Sequence, residues 1–85
     1  MSLTIPLEIA AVIRELRQQL GLSQEKLAAK LGVSFRTVNR WENGRAVPSA
    51  LALKQIEELL HQMSDSSKAT VRKFGKELLA QYFEE

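Results

Sequence analysis

The sequence predicts an all-α fold: a compact five-helix bundle that contains a helix-turn-helix. Three observations predict it. Apolar residues recur at helical spacing in five segments, and no segment reads as a strand. The breaks between segments carry residues that stop and start helices: Gly21-Leu22-Ser23, Gly32-Val33-Ser34, Asn43-Gly44 and Ser64-Asp65-Ser66-Ser67. A chain of 85 residues, 45% hydrophobic and 26% charged, suits one small domain around a single core.

Residues 1–5 read as a short arm, apolar at Leu3 and Ile5. Pro6 suits the first turn of a helix, where its missing N–H leaves no bond unmade. The first helix is expected over about 6–20, with Ile9, Ile13, Leu16 and Leu20 on one face and Gly21 as its stop. Ser23 opens a second, about 23–31, with Leu27, Ala28 and Leu31 inward; Gly32 and Val33 make the corner. Ser34 opens a third, about 34–42, with Val38 and Trp41 inward, and Asn43-Gly44 ends it. Ser49 is the expected cap of a fourth, about 49–63, whose stripe is Leu51 or Ala52, then Ile56, Leu59 and Leu60. The polar run 64–67 offers several caps for a fifth, about 67–83, with Val71, Phe74, Leu78, Tyr82 and Phe83 on one face. Lys68, Arg72, Lys73 and Lys76 on that helix read as solvated.

The net charge is +2, and its distribution says more than its size. Residues 21–49 hold Lys26, Lys30, Arg36, Arg40 and Arg45 against Glu25 and Glu42, while the rest of the chain is close to balanced. The positive excess therefore lies on the second and third helices, as a phosphate-facing surface requires. The chain has no cysteine, which excludes a disulfide framework and thiolate metal sites. His61 is the one histidine, with Glu57 and Glu58 nearby on its own helix; this is no metal or nucleophile constellation, and no Gly-rich phosphate loop is present, so enzymatic activity and a bound cofactor are not expected. No apolar run is long enough to span a membrane, and no signal peptide is visible, so a cytoplasmic location is expected.

A short helix pair with a basic, polar second member is the pattern of sequence-specific DNA reading. With Val38 and Trp41 turned inward, Phe35, Arg36, Asn39 and Arg40 are left as candidate base readers. Arg36 is the candidate for a bidentate contact to guanine, and Arg40 reaches a base or a phosphate. Asn39 pairs with adenine or lies along the groove wall. Two readings of Phe35 stay open, packing on a thymine methyl or folding back over Leu31. Gln24, in the first turn of its helix, is placed to hold a phosphate with the help of the helix dipole. Ser34 caps the third helix and is a further candidate for a phosphate or a thymine contact; Asn43 and Arg45 leave that helix toward the backbone phosphates, with Asn43 also a candidate left-handed stop.

Several pieces in order resemble the lambda-repressor/Cro (Xre) family of helix-turn-helix proteins. They are Leu16-Arg17, the run from Gly21 to Ala28, Leu31-Gly32-Val33-Ser34, Thr37-Val38, the run from Trp41 to Arg45, and Pro48-Ser49. The match covers about residues 7–60 and leaves the fifth helix outside it. The resemblance implies a double-stranded DNA-binding transcriptional regulator, with repression as the expected outcome. It implies that Gln24 anchors a phosphate, that Ser34, Phe35, Arg36 and Arg40 line the groove, and that Asn43 and Arg45 meet the backbone. It also implies that Glu42 pairs with Arg17 inside the domain. Family repressors usually bind as two-fold dimers on half-sites about 34–36 Å apart. The fifth helix either completes the core or forms a homodimer interface. The alternative function is an antitoxin, or another protein-interaction module, with a toxin as partner.

Overall fold

A computed structural model describes the backbone of residues 5–83 and the side chains of residues 9–83. The arm expected over 1–5 lies outside these residues, apart from Ile5, which opens the first helix. The elements are five helices in the expected order: α1 (Ile5–Gln19), α2 (Gln24–Leu31), α3 (Phe35–Glu42), α4 (Ala50–Ser64) and α5 (Ala69–Tyr82). Among the described residues there is no strand. Two compact units divide the chain, Met1–Ser49 and Ala50–Glu85.

In the first unit α1 and α2 each pack on α3. Ile9, Ile13 and Leu16 recur at helical spacing and are buried, as are Leu27, Ala28 and Leu31 of α2 and Val38 and Trp41 of α3. Leu20, expected on the same stripe, lies just past α1 and is half-buried. Ser23 and Ser34 both stand in extended backbone, and their hydroxyls accept from the backbone N–H of Lys26 and Thr37, each at 3.1 Å. Each satisfies one of the donors that a helix start leaves open.

The corner between α2 and α3 rests on Gly32, at φ 74° and ψ 29°. Val33 N–H donates to Ala28 at 3.0 Å and Gly32 N–H to Ala29 at 3.3 Å, which closes the last turn as a Schellman stop. The end of α3 is built the same way, with Arg45 N–H on the Arg40 carbonyl at 2.8 Å. Here the left-handed residue is Gly44 (φ 73°), not the candidate Asn43, which sits at φ −92° and ψ 3°. A Cβ is penalised in the left-handed region, so the stop falls on the neighbour that has none.

In the second unit α4 packs on α5. Ala52, Ile56, Leu59, Leu60 and Met63 are the buried residues of α4; Leu51, the alternative to Ala52, is 70% exposed. The expected stripe of α5 needs correction. Its buried residues are Val71, Gly75 and Leu79, while Phe74, Leu78, Tyr82 and Phe83 are only half-buried. Gly75 sets this rotation: a Cβ there would stand 2.7 Å from the Ser64 nitrogen and 2.8 Å from the Leu60 oxygen. The two backbones approach so closely that only a glycine fits between them.

No side chain of the polar run caps α5. Lys68 occupies the cap position without a side-chain bond, and Ser66 Oγ accepts from Lys68 N–H at 3.1 Å. Arg72, expected to be solvated, is half-buried and donates from Nη1 to the Ser66 carbonyl at 3.0 Å. His61 is exposed near the end of α4, with Glu57 3.9 Å away one turn earlier.

Candidate nucleic-acid interface

The candidate residues stand on α2, α3 and the exit from α3, and one buried carboxylate holds these segments in register. Glu42, the last residue of α3, is buried. Arg17 of α1 meets it fork to fork, Nε to Oε2 at 2.8 Å and Nη2 to Oε1 at 3.0 Å. The third arm of the guanidinium, Nη1, donates to the Leu22 carbonyl at 3.2 Å. A planar fork suits this bidentate geometry where a lysine would not. Arg17 has its pKa raised above the usual arginine value, chiefly by the hydrogen bond to Glu42; burial opposes the shift and the charge of Glu42 adds to it.

Two further contacts on Glu42 were not legible in the sequence. Arg14 donates from Nη1 to the Glu42 backbone carbonyl at 2.8 Å, satisfying a carbonyl that the helix end leaves open. The only signal was position, since Arg14 lies three residues before Arg17 and so on the same face of α1. Gln24 donates from Nε2 to Glu42 Oε1 at 3.0 Å. Its own Oε1 accepts from Asn39 Nδ2 at 3.1 Å, and Asn39 Oδ1 accepts from Asn43 Nδ2 at 3.1 Å. A line of amides thus runs from the buried carboxylate to the surface.

The remaining candidates stand outward. Arg36, Arg40, Asn43 and Arg45 are exposed, and Phe35, the first residue of α3, is 49% exposed despite its size. Arg40 reaches along the exit loop to the Arg45 carbonyl, from Nη2 at 3.4 Å. Ser34 is exposed, but its hydroxyl is already engaged with the Thr37 N–H and with Thr37 Oγ1, 2.9 Å away. Gln24 and Asn39 are half-buried. The helix pair therefore brings Phe35, Arg36 and Arg40 together as an outer set, and draws Gln24, Asn39 and Asn43 into one hydrogen-bonded line.

A family model described as helix-turn-helix matches residues 13–64, and the chain belongs to this Xre/lambda-repressor-like family of DNA-binding domains. Named regulators are among its relatives. An HTH-type transcriptional regulator of Methanothermobacter thermautotrophicus is 43% identical over 49 residues, which is 58% of this chain and 71% of the relative. A putative HTH-type transcriptional regulatory protein of Methanococcoides burtonii is 36% identical over 67 residues, covering 79% of this chain and 21% of the relative. A type II methyltransferase, M1.ScrFI of Lactococcus lactis, is 42% identical over 52 residues, which is 58% of this chain but 13% of the methyltransferase. The chain thus spans only a small part of two of these three relatives. No solved structure gives a significant match. Among the described residues no cluster of His, Cys, Asp and Glu could hold a metal ion, and no helix is long and apolar enough to cross a membrane.

Proposed function

We propose that this chain is a sequence-specific double-stranded DNA-binding transcriptional regulator that presents α3 to the major groove and represses by occupying its site. The observation that carries this reading is the division of α3 into two sides. Val38 and Trp41 are buried and Glu42 is pinned by Arg17, while Phe35, Arg36 and Arg40 stand outward on the same eight-residue helix. A rigidly held helix with exposed long donors in its first turns is what base-edge contact requires.

In this reading Arg36 meets a guanine, Arg40 a base or the adjacent phosphate, and Phe35 the methyl of a thymine. Gln24, Ser34, Asn43 and Arg45 serve the phosphates on either side. Two copies on a two-fold site are the expected unit, and the half-buried Phe74 and Leu78 of α5 are the surface offered for pairing.

Selection of bound duplexes from a random pool tests the function. The expected outcome is enrichment of one sequence, in two inverted copies if the protein pairs. Failure to enrich any sequence at low salt would sink the proposal. With the selected site placed across a promoter, reduced transcription is the expected result, and increased transcription would assign activation instead.

A further inference from the structure

The line of amides from Glu42 to Asn43 has a direction, and that direction is imposed by the carboxylate. An ionised carboxylate only accepts, so Gln24 must turn its NH2 end toward Glu42. The carbonyl end of Gln24 then faces Asn39, which must answer with its own NH2 end. The Asn39 carbonyl is thereby turned to Asn43, whose NH2 end meets it. Reversing any one amide would set oxygen against oxygen or N–H against N–H. Each amide thus has one orientation, fixed in series from a buried charge to an exposed residue.

From this geometry we infer that Asn39 is a positioning residue and not a base reader: it orients the Gln24 side chain for its phosphate and leaves base reading to Phe35, Arg36 and Arg40. The inference rests on the DNA-binding reading above and divides its site more finely. Asn39 is half-buried, with its NH2 end given to Gln24 and its carbonyl to Asn43, whereas Arg36 and Arg40 are exposed. An asparagine reads adenine by offering both ends of its amide at once. Asn39 would have to turn its amide from both Gln24 and Asn43 to set the two ends side by side against one base, and the Gln24 carbonyl would lose its partner. Gln24 needs no such turn for a phosphate, because its NH2 end keeps a second hydrogen beside the one given to Glu42. A glutamine on a free rotor meets a phosphate in many poses; one held at both ends meets it in one, which lowers the entropy lost on binding.

The test compares sites selected by the full chain and by Asn39→Ala, with Arg36→Ala alongside. Asn39→Ala is expected to keep the wild-type consensus while weakening binding to every sequence by a common factor of about ten, the worth of one charge-assisted hydrogen bond. Because Asn39 acts through Gln24, adding Asn39→Ala to Gln24→Ala is expected to weaken binding no further, whereas a merely structural role would add its full effect. Loss of one consensus position in Asn39→Ala would overturn the inference and make the residue a base reader. The NMR signals of the Gln24 side-chain amide supply a readout that needs no DNA. They are expected to shift and to exchange faster with solvent in Asn39→Ala, and identical signals in the two proteins would equally overturn the inference. If the wild-type chain selects no sequence, the DNA-binding reading fails by itself, and these amide signals still decide whether Asn39 holds Gln24.

Discussion

Arg17 and Glu42 stand twenty-five residues apart and meet through two parallel hydrogen bonds, at 2.8 and 3.0 Å. The pair ties the last turn of α1 to the last residue of α3, so the inclination of the exposed helix is set from its C-terminal end. Replacing Arg17 by methionine keeps much of the side-chain bulk but leaves the buried carboxylate with Gln24 as its remaining side-chain partner. Breaking one side of a buried pair costs about 3–5 kcal/mol; the low end is expected here because the Arg17 side chain is 20% exposed. Urea denaturation of Arg17→Met checks this. The raised arginine pKa gives a stabilisation fully present below the usual arginine value and lost only above it, so Arg17 itself adds no pH dependence near neutrality.

The two exposed arginines at either end of the candidate surface are expected to fail differently. Arg36→Ala should relax the preference at one base position, by about 1–3 kcal/mol of discrimination. Arg45→Ala should weaken all sequences alike and reduce the slope of log affinity against log salt by about 1. Competition binding across a salt series separates the two. A uniform loss in Arg36→Ala would remove it from the base-reading set.

Ser34 joins stability to presentation, since its hydroxyl holds the first turn of α3. Ser34→Ala should lose about 1 kcal/mol, which for a domain of this size lowers the melting temperature by about 4–8 °C. Ser34→Asp restores the cap and should recover the melting temperature. It also brings a negative charge to the proposed phosphate side, so binding should stay weak. Calorimetry and DNA titration on the same two variants read these effects separately.

Gly32 and Gly75 are both intolerant of a methyl group, for opposite reasons. At Gly32 nothing lies within 4 Å of the added Cβ, and the obstacle is the positive φ; Gly32→Ala should lose about 1–2 kcal/mol through backbone strain alone. At Gly75 the backbone is ordinary helix, where alanine is favoured by about 1 kcal/mol, but the Cβ meets main-chain atoms at 2.7 and 2.8 Å. Main-chain atoms of α4 cannot swing aside as a side chain would. Overpacking of about 1–3 kcal/mol is expected to exceed the propensity gain. Denaturation midpoints of both variants check this, and the spectrum should report displaced α4 and α5 signals only in Gly75→Ala.

Periodicity and stop signals made the five helices legible, because Ser23, Ser34, Gly32 and Gly44 act through local backbone chemistry that the sequence carries openly. The Arg17–Glu42 pair was legible only through family resemblance, since nothing local links residues so far apart. The rotation of α5 was not legible. Large apolar side chains draw the eye to Phe74 and Tyr82, yet the residue that turns inward, Gly75, has no side chain to register in a hydrophobic pattern. The amide line was hidden for a related reason. Gln24, Asn39 and Asn43 each read as surface polar residues, and only folding reveals that their amides face one another.

The missing side chain at Gly75 acts as a key cut for one slot. Turning α5 by a single residue, about 100°, would bring Phe74 or Lys76 against the main chain of α4, where not even a methyl group has room. Helix α5 therefore has one angular setting, and the half-buried placement of Phe74 and Leu78 follows from it. Those side chains do not choose the direction in which they present themselves; the choice is made by a neighbour that contributes nothing to the surface. A variant that redirects that apolar flank has to begin at Gly75, not at the bulky residues on either side of it.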